Sequence, residues 1–245
     1  MGKEYVGLDQ ESSLELENLR TALTEILPEL GPHWNSQIAV VTQRTTISRL
    51  LFLDFLYRKV LDIPGHILEF GVQWGATLGQ LVALRAIHEP YNIRRLIFGF
   101  DTFEGLLGVT SKDNQTFVDG DYSVSSGYRE RLELILASSE KLNPMPKFQK
   151  TFLVEGDASI TVDTWLDSHP ATPAAIVFMD LDIYRPTKDV LTKLRGRLIK
   201  GSVVVFDEFN HPMFAGEREA ALEIFGASNF KFNSLYANAA FITME

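Results

Sequence analysis

Residues 67–77 read I-L-E-F-G-V-Q-W-G-A-T, and they decide the fold. A short apolar run ends in an acidic residue and a glycine, a second glycine follows four positions on, and A-T-L-G-Q-L-V-A-L then runs with helical spacing. That order is strand, tight turn, helix N-terminus. Gly71 and Gly75 are where the backbone is expected to take positive φ and approach a ligand closely, with the free N–H groups of the following helix facing polar or anionic atoms. Glu69 adds a fixed negative charge at the mouth of the turn. A dinucleotide fingerprint needs its second glycine at position 73, where Gln73 stands, so a pyrophosphate is not the expected ligand. A cofactor carrying positive charge suits a carboxylate-lined turn better, and S-adenosylmethionine is the common one. Taken alone, the two glycines also fit any strand-to-helix turn of an α/β protein.

On the N-terminal side, Ser12 to Glu15 forms an S-x-x-E capping box, and leucines 14, 16, 19, 23 and 27 fit one helical face that Pro28 and Gly31-Pro32 end. A second helix is expected from about Thr45 to Val60, closed by Asp62 and Pro64. Residues 1–62 therefore read as an N-terminal helical cap and 63–245 as the core, in one structural domain. On the other side, strands near 95–100, 151–155, 174–180 and 202–206 alternate with helices near 76–88, 128–137, 159–168, 186–198 and 215–226. Nearly continuous apolar strands separated by helices predict a parallel sheet covered on both faces. The last two apolar runs, 229–236 and 239–244, are separated only by Ala237 and Asn238 and should pair as an antiparallel hairpin. The expected fold is α/β and Rossmann-like, with a seven-stranded, mostly parallel sheet similar to that of class I methyltransferases. The polar loop 102–127 is too long for a connector and reads as a lid or substrate loop.

The 245 residues can bury one α/β core, and 45% apolar with 22% charged residues describes an ordinary globular chain. A net charge of −9 without clustered Lys and Arg argues against a nucleic-acid backbone or an anionic membrane as partner. Cysteine is absent, which excludes disulfides, thiolate metal sites and a cysteine nucleophile. The opening residues lack the apolar core of a signal peptide, so a cytoplasmic location is expected. No G-x-S-x-G, P-loop or H-E-x-x-H occurs, which leaves hydrolase and NTPase readings without support.

Open α/β sheets bind ligands at the carboxyl ends of their strands, and all five strands here end in acid. Asp101, with Thr102 after it, is placed for the two ribose hydroxyls of an adenosine ligand, and Asp157 with Ala158 for the adenine. Each aspartate is equally suited to capping a helix. Asp180, Asp207 and Glu208 put three carboxylates from adjacent strands around one point, which suits Mg²⁺ or another hard divalent cation. Asp182, two residues beyond Asp180, falls on the same side if the strand persists and would serve as general base. His211, after the D-E-F-N turn, is a further candidate to act on a substrate hydroxyl, with a surface role as its alternative.

The segments L-E-F-G-V-Q-W-G-A-T, F-D-T-F-E-G-L, G-D-A, M-D-L-D-I-Y-R-P-T and V-F-D-E-F, within about residues 67–210, resemble the macrocin O-methyltransferase-like family of metal-dependent enzymes acting on sugars of natural products. The resemblance implies Asp101 for the ribose, Asp157 for the adenine end, Asp180, Asp207 and Glu208 for Mg²⁺, and Asp182 as base. It also implies a glycosylated small-molecule substrate in antibiotic biosynthesis. Trp74 and Ala76 stand where the family usually has arginine and glycine, and D-E-F where it commonly has D-D-Y. A phenolic or other small hydroxyl acceptor, or a non-catalytic protein that binds S-adenosylmethionine, would use the same residues. A homo-oligomer is expected, because the amphipathic N-terminal helices need cover.

Overall fold

The computed structural model describes residues 9–245; the opening residues read above for a signal peptide fall, up to position 8, outside them. Strands β1 (His66–Phe70), β2 (Ile97–Asp101), β3 (Thr151–Glu155), β4 (Ala174–Met179) and β5 (Leu198–Phe206) pair in parallel. Strand β7 (Ala240–Thr243) runs antiparallel between β5 and the short β6 (Lys231–Phe232), giving the seven-stranded order β3-β2-β1-β4-β5-β7-β6. The fold class is the expected one. Strand order reverses between β1 and β4, and that switch point opens a crevice at the carboxyl ends of the strands.

Alternation along the strands builds two core layers. Ile67, Ile97, Ile176, Phe178, Val203 and Val205 pack with helices α3 (Arg44–Lys59), α4 (Ala76–His88) and α5 (Tyr128–Leu142). Leu68, Phe70, Phe98, Phe100, Val177, Met179, Val204 and Phe206 face the other way, against α6 (Ala158–Ser168), α7 (Tyr184–Leu194) and α8 (Ala215–Phe225). Every residue of β4 is buried, as a central strand covered on both faces requires.

Three local expectations are corrected. Helix α1 (Gln10–Ile26) starts earlier than the S-x-x-E box, because the Asp9 side chain accepts the Ser12 amide and takes the capping role. The C-terminal strands are joined by residues 233–239 rather than by two, since Asn233 opens a turn by accepting the Tyr236 and Leu235 amides. Strand β4 ends at Met179, and Asp182 has a left-handed φ of 66°, so Asp180 and Asp182 are not two positions of one strand.

By its contacts the chain forms two compact units, residues 9–48 and 49–245. The first holds α1, the short α2 (Trp34–Gln37) and the start of α3, and none of the residues of α1 is buried. The second holds the sheet and the rest of α3, whose Phe52, Leu53, Leu56 and Tyr57 join the core. No helix among the described residues is long and apolar enough to cross a membrane.

His66 at the start of β1 lies against Phe98, Trp165 and His169. Burial, with His169 and Arg95 nearby, pushes its pKa from 6.5 down to about 4. A depressed histidine stabilises the fold fully above 6.5 and loses that contribution as pH falls toward 4. Denaturant midpoints should therefore fall between pH 7 and pH 4 more steeply for the parent than for His66→Gln; parallel curves would refute this.

Candidate functional site

The turn after β1 is fixed from both sides. Gly71 (φ 93°) and Gly75 (φ 80°) take the expected left-handed conformation. Their lack of a side chain, however, serves packing: a Cβ at Gly71 would lie 1.8 Å from the Asp180 carbonyl oxygen, and one at Gly75 would lie 2.5 Å from Leu132. Asp101 Oδ2 accepts the amides of Val72 (2.6 Å) and Gln73 (2.8 Å), while its Oδ1 accepts that of Phe103 (2.6 Å). Asp101 thus braces the glycine turn with the carboxylate that the sequence suggested for a ribose. Asp157 caps α6 by accepting the Ser159 amide, as its alternative reading had it.

Beyond these turns lies one cavity of about 450 Å³, running across the carboxyl ends from β3 to β5. Glu69, Gly71, Asp101, Thr102, Asp157, Ala158, Asp180, Asp182, Asp207 and Glu208 all line it. Gly75 and His211 do not; the His211 ring lies tilted against Phe214, and its Nδ1 accepts the Met213 amide. Leu106, Leu107 and Tyr122 from the loop 102–127, with Phe214, complete the wall. The loop is folded, not free: Asp113 accepts the Tyr184 amide at the start of α7, and Lys112 pairs with Glu223 of α8.

Glu69 lies in the wall of the cavity. It is 1% exposed and one of its oxygens has no partner. Burial pushes its pKa well above its ordinary value despite the nearby Arg49, with repulsion by Asp101 and Asp207 adding to the rise.

Arg49, absent from the candidates drawn from sequence, is central. Its guanidinium donates to Asp207 Oδ2 at 2.7 Å, Asp180 Oδ2 at 3.2 Å, the Tyr236 hydroxyl at 2.8 Å and Thr77 Oγ1 at 2.7 Å. The signal was present: Arg49, Phe52, Leu53, Leu56 and Val60 have the spacing of one helical face, so an arginine there points inward. The acids outnumber it. Burial and then mutual repulsion raise the pKa values of Asp180 and Asp182, burial raises that of Asp207, and Glu208 is pushed up to about 7.

Among the described residues no group of three or more histidines, cysteines, aspartates or glutamates is arranged to hold an ion, and Arg49 bridges Asp180 and Asp207. The donor chemistry nevertheless fits a hard divalent cation. Asp207 Oδ1 is buried without a partner, and of Asp180, Asp182, Asp207 and Glu208, which line one cavity, only Asp180 and Asp207 pair with the Arg49 guanidinium. The cavity as a whole carries seven carboxyl groups and one arginine, which suits a cationic ligand.

Comparison with known proteins shows the family. Residues 45–225 match the model of the macrocin O-methyltransferase (TylF) family. The mycinamicin III 3''-O-methyltransferase of Micromonospora griseorubida is 28% identical over 156 residues, which cover 61% of this chain and 57% of that enzyme's length. The crystal structure of the calicheamicin methyltransferase CalS11 superposes with a TM-score of 0.91 at 35% identity, covering 99% of this chain and 97% of that one. An apo structure of CalS11, described as a TDP-rhamnose 3'-O-methyltransferase, superposes at 0.84 with 34% identity, covering 98% and 96%. With more than half of its length matched by the family's own pattern, and the sheet and crevice to go with it, the chain belongs to the macrocin O-methyltransferase (TylF) family.

Proposed function

We propose that this protein is an S-adenosylmethionine-dependent O-methyltransferase that methylates a sugar hydroxyl in the biosynthesis of an antibiotic or similar natural product. The observation that carries the reading is the single cavity in which the glycine turn and the acidic ends of β4 and β5 meet. The methyl donor supplies an electrophilic methyl group on a sulfonium, whose positive charge the carboxyl-lined walls accommodate. Thr102, Asp157 and Ala158 hold its adenosine end, with Asp101 keeping the turn in shape and offering its remaining lone pairs. Asp182 removes the proton from the acceptor oxygen as that oxygen attacks in line. Mg²⁺ held by Asp180, Asp207 and Glu208 would acidify and orient the hydroxyl. His211 has no place in this scheme.

The acceptor sugar is carried either by a glycosylated natural product, as the mycinamicin enzyme's name describes, or by a nucleoside diphosphate, as for CalS11. The whole-chain likeness to CalS11 favours the second carrier. We read the uncovered α1 as a contact with a second copy of the chain.

Titration calorimetry with S-adenosylmethionine and S-adenosylhomocysteine, followed by mass spectrometry of TDP-rhamnose and glycosylated acceptors with and without Mg²⁺, tests the reading. Micromolar cofactor binding and a singly methylated sugar whose formation stops in EDTA are expected. Absence of any cofactor binding would sink the reading, and turnover unaffected by EDTA would remove the metal from it.

A further inference from the structure

The turn between β4 and α7 carries Asp182, and its three successive amides are each tied down. The Asp182 amide donates to Glu217 Oε2 at 3.3 Å, the Ile183 amide to the Leu181 carbonyl at 2.7 Å, and the Tyr184 amide to Asp113 Oδ1 at 2.7 Å. A non-glycine residue at φ 66° persists only where its surroundings over-determine it. Here two acids from distant parts of the chain do so. Glu217 comes from the first turn of α8 and is fully buried, with Oε1 unpartnered. Next to it, Gly216 brings α8 so close that a Cβ would lie 1.8 Å from Asp113 Oδ1 and 2.7 Å from the Tyr184 nitrogen. A buried carboxyl group with one free oxygen is an expensive residue to keep for packing alone. Ala220 and Ala221, on the same helical face, show that small apolar side chains serve α8 elsewhere.

We infer that Glu217 is a positioning residue for the reaction: through the Asp182 amide it holds the left-handed turn that aims the Asp182 carboxyl group into the cavity. The inference rests on Asp182 being the base proposed above. It calls for an acceptor at this distance and not for a charge.

Steady-state kinetics on five variants test it. Glu217→Met fills the same space without an acceptor, and kcat should fall about 10- to 100-fold, with KM and the S-adenosylhomocysteine Kd within about threefold of parent values. Glu217→Asp withdraws the acceptor by one methylene and should lose a similar factor, which keeps the test available if the methionine variant does not fold. Glu217→Gln retains an acceptor oxygen and should recover most of the activity. Added to Asp182→Asn, Glu217→Met should cost nothing further, because both act on one group. Asp182→Asn with parent kcat would sink the base assignment itself. An inactive Asp182→Asn beside parent-like Glu217→Met and Glu217→Asp would overturn the positioning role alone, and so would multiplicative losses in the double variant or a glutamine variant as impaired as the methionine one.

Discussion

Replacing Asp182 by asparagine is expected to lower kcat by about two to four orders of magnitude, the range over which a positioned general base contributes, while leaving cofactor binding within about threefold. Asparagine preserves the size of the side chain and tolerates the left-handed backbone that position 182 requires, so the turn survives and only the proton acceptor is lost. Burial first, and the neighbouring Glu208 and Asp207 next, raise the Asp182 pKa, which brings a carboxylate closer to the basicity that a sugar hydroxyl demands. Rapid-quench measurement of the methyl-transfer step with saturating cofactor would read the effect directly. A loss of less than about fivefold would move the proton to another acceptor.

Arg49→Met should be the most destabilising single substitution in the core of the site, costing about 3–5 kcal/mol at pH 8 in EDTA, as expected when one partner of a buried ion pair is removed. The Asp207 side chain is 4% exposed, its Oδ1 already lacks a partner, and its Oδ2 depends on Arg49. Asp180 loses its guanidinium contact at the same time. Burial holds both aspartates above their ordinary pKa of 3.8, with repulsion by Asp207 adding to the rise at Asp180. Such groups contribute stability below that value and lose it as pH rises through the folded one, and removing Arg49 raises the folded values further. The deficit should therefore be small near pH 4 and grow toward pH 8. Mg²⁺ should recover part of it at pH 8, because the orphaned carboxylates are the ones proposed to hold the ion. Urea midpoints at both pH values, with and without Mg²⁺, check this; a pH-independent deficit below about 1 kcal/mol would contradict the charge argument.

Much of the architecture was legible in the chain because buried parallel strands advertise themselves. The run at 151–155 and the helix at 76–88 have the same boundaries in sequence and structure, and the run expected at 174–180 ends one residue earlier, at Met179. The ends of elements were harder to read where a side chain outside the pattern decided them, as Asp9 does for α1 and Asn233 does between β6 and β7. Within the candidate site, strand-end position brought ten of the twelve named residues to one cavity. Position alone said nothing of burial, which at Glu69 is nearly complete and pushes the carboxyl pKa upward. Arg49 and Glu217 were passed over for a common reason. Each lies on an apolar helical face outside any motif, and only tertiary packing delivers it to the strand ends.

On the proposed mechanism, Asp113 would tie acceptor choice to chemical competence. The same segment that walls the cavity with Leu106, Leu107 and Tyr122 also supplies the carboxylate that starts α7 two residues after Asp182, the proposed base. A transplanted loop that carries a new wall but no carboxylate at that point would alter turnover along with selectivity. Redesign of this scaffold for other sugars is therefore best confined to the stretches on either side of Thr110 to Asp113, with that tetrapeptide kept as an anchor common to every graft.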